Sequence, residues 1–472
     1  MGLSSEGGDQ LLRMPGIGSF AEAVVRRNTG PASMAPTDVL FDAVKHRAFV
    51  TSGLGCLLGG ALALVFRPSL YAPYEEGISY LAFANLDFRG APGYYAGRVV
   101  HPFAVRLAAL LFHAPIDARA FLWVSAAALI AFFACLGMRY GLDFSRAPAM
   151  WLLLAVTPTV IDAYRNYYWH DLFYASVCAL FFLVLRANWW AGLPFLPLLY
   201  LTRESTVVLV LALVAVTAFR REWAYCFSAL AAGLAGMMLE ARLVARALPN
   251  RHGIPVALLD LLKVPYNLLL NVCGLEFWTN TNADTTPAPV WTRNLPSWLH
   301  LGKVHQIGFS GFFWDRPLHT LLILATAFGI LPLVAGRAAA RGKGGAPFRR
   351  LDLAVACVFG ALMFVLGPLQ GTSPNRYILY GWPVFWLFGV AMIEPVFVDR
   401  RGRMKVVVLS VCAAWIPAVV RIAMGEVAHG PESLSGVSRV GLLISLALLI
   451  PIYVFGWRLT VPVKATADQR VL

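Results

Sequence analysis

Two carboxylates stand side by side in Tyr74-Glu75-Glu76-Gly77-Ile78-Ser79-Tyr80, just past the first long apolar block of the chain. Adjacent carboxylates at a membrane surface suit a general base, a metal ligand or a cation site, since each offers localised negative charge and a proton acceptor. A solvated loop pair is the plain alternative. A second polar group runs from Asp162 through Arg165, Asn166, Trp169 and His170 to Asp171. Aromatic belts account for its Tyr and Trp residues. They do not account for Asp171 opening an apolar helix, for which N-capping is the structural explanation.

Thr202-Arg203-Glu204-Ser205 places an ionisable pair between two short apolar blocks. Charge at membrane depth is costly and is kept mostly for function, although Arg203 and Glu204 could also satisfy each other. Pro374-Asn375-Arg376-Tyr377 opens a late apolar block. Arg376 there could grip a phosphate with two parallel N–H groups, or reach out to lipid headgroups. His252, His300, His305 and His319 have no metal-binding spacing.

The elements that must position these residues are membrane helices. The 472 residues are 59% hydrophobic and 14% charged, with a mean hydropathy of +0.66. The apolar residues form blocks such as Phe121 to Cys135, Cys226 to Met238 and Val440 to Trp457. About 18 or more apolar residues cross a bilayer core of ~30 Å as a helix. Strands of alternating pattern, which a barrel needs, are absent. The expected fold is an all-α, polytopic transmembrane bundle of about twelve spans. These lie near 48–66, 120–138, 147–164, 171–186, 189–202, 204–219, 223–246, 318–336, 351–368, 376–397, 405–423 and 437–457.

The net charge of +14 sits in short loops between blocks, which points to positive-inside orientation and away from nucleic acid. Arg139/Arg146, Arg220/Arg221, Arg337 to Arg350 and Arg400 to Lys405 fall on one side with the N-terminus, provided that 99–113 is not a span. That block, interrupted by Arg98, His101 and Arg106, suits the membrane interface. The expected organisation is a mobile cytoplasmic tail (1–46), a transmembrane domain (47–458) with non-cytoplasmic loops 67–119 and 247–317, and a cytoplasmic tail (459–472). The seven cysteines include no Cys-x-x-Cys pair and read as packing residues.

In this order the features resemble the GT-C membrane glycosyltransferases, in particular the bacterial dolichyl-phosphate-mannose-protein-mannosyltransferase-like branch, which includes lipid A aminoarabinose and other sugar transferases. Glu75-Glu76-Gly77-Ile78-Ser79-Tyr80 is similar to the family's Asp-Glu-x-x-Tyr, with Glu for Asp and the Tyr one residue later. His101-Pro102 through Phe112 resembles its Pro-led juxtamembrane helix. Thr157-Pro158 through Arg165 to Asp171 resembles its aromatic loop closing on Asp. Thr202-Arg203, and Arg376-Tyr377 followed by Pro383, resemble its later elements.

The resemblance implies transfer of a sugar from a polyprenyl-phosphate donor to a lipid, glycan or protein acceptor on the outer face of a bacterial inner membrane. It implies Glu75 or Glu76 as base, with Asp171 and His170 orienting acceptor or base, or holding a metal if one is used. Arg165, Arg203, Glu204, Arg376 and Tyr377 would bind substrate. A divalent metal is admitted but not required, since the leaving group is already a phosphate. A secondary transporter for a small polar or anionic solute is the rival reading, although no internal repeat is visible.

Overall fold

The computed structural model describes residues 36–74, 76–88, 93–144, 157–247, 256–279, 307–327, 329–340, 350–370, 376–378, 380–381, 400–426 and 437–460. Within these the protein is helical apart from one two-stranded ribbon. Five helices are long and apolar enough to cross a membrane: Ala118–Met138, Trp223–Val244, Leu351–Leu369, Met404–Ala423 and Arg439–Leu459. Side chains such as Leu57, Leu64, Phe219, Phe227 and Ile450 stand exposed, as a lipid-facing surface requires. The chain is a helical membrane protein.

The first half begins with α1 (Pro36–Val65), α2 (Glu76–Ala84), a 3₁₀ turn (Gly93–Gly97), α3 (Val100–Leu111), α4 (Ala118–Phe144), α5 (Pro158–Arg165) and α6 (Asp171–Ala187). It continues with α7 (Trp189–Gly192), α8 (Phe195–Tyr200), α9 (Thr206–Phe219) and α10 (Trp223–Ala247). The second half has α11 (Val256–Asn271), β1 (Leu275–Thr279), β2 (Ile307–Phe312), α12 (Asp315–Ala327) and α13 (Leu331–Ala340), then α14 (Leu351–Gln370), α15 (Arg400–Ala423) and α16 (Arg439–Thr460).

α1 and α4 pack antiparallel with their backbones in close contact. An added Cβ on Gly55 would lie 2.4 Å from the Phe133 carbonyl oxygen, and one on Gly59 would lie 2.7 Å from Ile130 Cα. From the other side, a Cβ on Gly137 would meet the Thr51 carbonyl at 2.4 Å. Lipid offers little hydrophobic drive between helices, so small residues that admit backbone contact hold such pairs. Gly55→Val is therefore expected to cost about 1–3 kcal/mol or more by overpacking. Gly60→Val, with open space around it, should unfold like the wild type. Thermal midpoints in detergent decide this, and equal losses for both variants would refute it.

The directions of the helices sort their ends. α4 and α6 run parallel, with Ser125 bonded to the Tyr167 carbonyl and Ser176 to that of Ala128. α9 and α10 are antiparallel, with Val210 against Gly233 and Cys226 against Val214. Glu76, Asp171 and Arg376 open helical segments at one end of the bundle, and Arg203 precedes α9 there. Arg186, Arg220, Arg221 and Arg350 stand at the opposite ends of α6, α9 and α14.

Several expected spans differ. The stretch 189–202 is two pieces, α7 and α8, because Pro194 and Pro197 lack the N–H that a continuous helix needs. The stretch 318–336 is broken between α12 and α13 at Gly329 (φ +51°), where a Cβ would lie 2.4 Å from Ser410 Cα of α15. Most of 147–164 and 376–397 lies outside the described residues, as do 1–35 and 461–472. The block 99–113 forms α3, whose Phe103, Leu107, Leu110 and Leu111 face outward while His101 and Val105 are buried.

The second long loop holds structure beyond the all-helical expectation. α11 docks on the end of α14 through Asn267 and Asn271, which donate to the Leu369 and Pro368 carbonyls (3.2 and 2.7 Å). β1 and β2 pair antiparallel from Leu275↔Phe312 to Thr279↔Ile307, with a bulge after Glu276.

Candidate functional site

Asp171 begins α6, and His170 stands at its N-cap position without a side-chain capping bond. Arg203 lies in the turn between α8 and α9, fixed by its own N–H to the Leu199 carbonyl and by Thr206 Oγ1 donating to its carbonyl (both 2.7–2.8 Å). Glu76 opens α2, and Arg376 opens the helical turn 376–378. An aromatic collar brings the first two strands of chain together. Tyr71 packs on Tyr167 (centroids 4.7 Å) and Tyr74 on Trp169 (5.6 Å), while the Tyr74 hydroxyl donates to Asn166 Oδ1 (2.8 Å).

The charged side chains then meet. Arg376 Nη1 and Nη2 donate to Glu76 Oε1 and Oε2 (2.9 and 3.2 Å), and its Nε donates to Asp171 Oδ2 (2.9 Å). Its guanidinium lies 4.0 Å from the Trp169 ring centroid. Arg98 Nη1 reaches Glu76 Oε2 (3.2 Å) and the Tyr80 hydroxyl (3.0 Å), while Nε and Nη2 grip Glu204 bidentately. Arg203 Nη1 approaches Asp171 Oδ1 (3.6 Å) and His170 Nε2, and its guanidinium lies 4.9 and 4.7 Å from the centroids of the Tyr377 and Tyr380 rings. The Tyr380 hydroxyl donates to Asp171, and that of Tyr80 to Glu76 (2.9 Å).

No family model, curated protein or solved structure matches this chain.

The chemistry of the cluster follows from its own geometry. Three guanidinium groups face three carboxylates in a site where His170, Arg203 and Asp171 are almost wholly enclosed. Burial alone would raise the Glu76 carboxyl, but Arg376 and Arg98 beside it hold it well below the usual carboxylate range. Burial also opposes ionisation of Glu204, and Arg98 and Arg203 hold it at about 2. Both carboxylates are anions throughout the physiological range. Burial, then the positive field of Arg203, pushes His170 well below its ordinary value, so it is neutral. An arginine N–H can only donate, so His170 Nε2 accepts from Arg203 and the ring proton sits on Nδ1. Among the described residues that Nδ1 has no partner, and neither has Arg203 Nε nor either nitrogen of the buried His101.

Of the expected site residues, Glu76, Asp171, His170, Arg203, Glu204, Arg376 and Tyr377 come together. Glu75 lies outside the described residues. Arg165 ends α5 beside the collar, where its carbonyl accepts from the Tyr71 hydroxyl (3.3 Å). The Arg203–Glu204 self-pair is replaced by Arg98–Glu204 and Arg203–Asp171, because neighbours around a tight turn point apart. Arg98, Tyr80 and Tyr380 are site residues that the sequence reading did not assign. Tyr380 lies four residues after Arg376, and Tyr80 four after Glu76, which is the helical spacing that puts them on one face. Among the described residues no group of three His, Cys, Asp or Glu side chains is arranged to hold a metal.

Proposed function

We propose that the protein is an integral membrane glycosyltransferase of the GT-C kind, moving a sugar from a polyprenyl-phosphate donor to an acceptor outside the cytoplasm. The observation that carries this reading is the convergence of Glu76, Asp171, Arg203 and Arg376, from four separate elements, at one end of the helices. A lipid-linked donor presents its phosphate at that level of a bilayer. Transfer needs a base for the acceptor hydroxyl or amine, for which Glu76 or its neighbour Glu75 is the candidate. Arg203 and Arg376 supply positive charge to the departing polyprenyl phosphate. Asp171, held by Arg376, Arg203 and Tyr380, orients both arginines. A transporter would place its charges mid-helix, near the bilayer midplane; here they stand at helix ends.

The finer topology belongs to the same reading: about twelve spans, N-terminus and basic turns in the cytoplasm, and the cluster on the outer face of a bacterial inner membrane. The test is consumption of a membrane-extracted polyprenyl-phosphate-sugar pool by purified protein, with release of polyprenyl phosphate. Arg203→Gln is expected to slow that release on the order of 10²–10³-fold. A wild-type protein that leaves the donor pool untouched, or an unimpaired Arg203→Gln variant, would overturn the assignment.

A further inference from the structure

The cluster is electrically closed. Arg98, Arg203 and Arg376 carry three positive charges, and Glu76, Asp171 and Glu204 carry three negative ones, with His170 neutral between them. A phosphodiester donor brings one further negative charge. Three arginines cannot compensate four anions in an enclosed site, so one carboxylate must lose its cation when the donor enters.

The geometry selects which one. Asp171 is held by three groups at once, Arg376, Arg203 and Tyr380, and is the least exposed of the three carboxylates. Glu204 has both oxygens gripped by Arg98, so freeing it would strand that arginine's bidentate contact. Glu76 is shared by Arg376 and Arg98. Each of its arginines keeps another carboxylate if Glu76 lets go, Arg376 keeping Asp171 and Arg98 keeping Glu204. Glu76 is also the first residue of a short helix on an outer loop, so its side chain can turn without moving a membrane helix.

We propose that Glu76 is a masked base, locked by Arg376 and Arg98 in the free protein and released when the donor's phosphate takes over Arg376. This rests on the transferase reading and adds to it a substrate-gated activation of the same site. In the locked form the carboxylate has two guanidinium partners and little affinity for a proton. Once released it is a buried carboxylate facing Tyr80, Arg98, Arg203, Asp171, Glu204 and His170 with one fewer cation. Its proton affinity then rises toward the range a base requires. The acceptor O–H proton passes to Glu76. The acceptor oxygen pair forms the bond to the sugar's anomeric carbon as the bond from that carbon to the phosphate oxygen breaks. The phosphate leaves with that electron pair as a dianion against Arg203 and Arg376. An acceptor alone, without donor, meets no free base.

The test uses a polyprenyl methyl phosphate, a diester that keeps one negative charge at every pH used and cannot donate a sugar. Wild-type protein in detergent should bind it more tightly as pH falls from 7 to 5, by up to about tenfold per pH unit, because the released Glu76 takes up a proton there. Binding should level off toward pH 8, where the released carboxylate stays ionised and able to act as a base. Glu76→Gln, with no competing anion, should bind it at least tenfold more tightly at pH 8 and without pH dependence. Flat wild-type binding, or weaker binding by Glu76→Gln, overturns the proposal while leaving the transferase reading standing. If neither protein binds the diester at any pH, that reading fails too. Inorganic phosphate separates the two sources of such an anion: binding as tight as that of the diester would make this a free-phosphate site and overturn the link to a lipid donor. Should Glu76→Gln fail to fold, the wild-type pH dependence decides alone.

Discussion

Replacing Arg376 with Met is expected to destabilise the protein by about 3–5 kcal/mol at neutral pH, the cost of leaving buried charges without their partner. Arg376 stands between Glu76 and Asp171 and donates to both with fork geometry. Met fills similar volume but leaves two anions facing each other. The pH dependence tells this from a packing defect. In the wild type, burial opposes ionisation of Glu76, but Arg376 and Arg98 hold its folded-state pKa well below the unfolded value. Glu76 therefore contributes stability that is present above the unfolded carboxylate pKa of about 4.3 and is lost as pH falls through its depressed value. Without Arg376 the burial effect prevails and its folded pKa rises, so the variant gains stability as pH falls through that raised value. The gap between the two proteins should be widest at pH 7–8 and narrow toward pH 4.5. Thermal midpoints across that range check it, and a gap constant in pH would refute the charge argument. Arg376→Lys should fall between the two, since it restores the charge but not the paired N–H groups.

The same residues show what sequence reveals about such a site. In an apolar chain a charged residue at the end of a helix is conspicuous, and Glu76, Asp171, Arg203, Glu204 and Arg376 were legible for that reason. Their pairing was not. Glu204 sits next to Arg203 in sequence, yet its partner is Arg98, which is 106 residues away. Sequence spacing cannot predict that contact, because it depends on how the connection between α1 and α3 folds over the turn between α8 and α9. Tyr80 and Tyr380 were hidden for another reason, since aromatics at a bilayer edge have a sufficient explanation in the interfacial belt. His101 reads as an interruption of an amphipathic helix, but it is buried against Tyr80, Phe121 and Phe173. The long helices were legible almost to their ends, as in Trp223–Ala247 and Arg439–Thr460, because composition alone decides them. The broken ones were not: the break at Gly329 is set by the crossing of α15, a tertiary fact.

Arg98 also supports the second large expected effect, which concerns how the connection between α1 and α3 is held. Arg98 follows the 3₁₀ turn and packs on the Tyr95 ring (5.1 Å), and it reaches Glu76 on one side and Glu204 on the other. It thus ties α2, the 3₁₀ turn and the α8–α9 turn into one unit. Arg98→Met alone should cost about 3–5 kcal/mol, since it strands Glu204 and half of Glu76's pairing. Glu204→Gln alone should cost less, about 1.5–3 kcal/mol, because Glu204 is a quarter exposed and Arg98 keeps Glu76. The double variant should be more stable than the sum of these losses by about 2–3 kcal/mol, since removing both partners leaves neither charge stranded. The cycle is measured by thermal or denaturant unfolding in one detergent. Strict additivity would mean that Arg98 and Glu204 contribute separately, and that packing around Tyr95, not the ion pair, anchors the loop. Coupling of the expected size would instead make the loop's position depend on the same closed set of charges that holds Glu76. Glu76 and the fold of its loop would then be stabilised by one network, so that any ligand drawing Arg376 away from Glu76 leaves the loop held by Arg98 and Glu204.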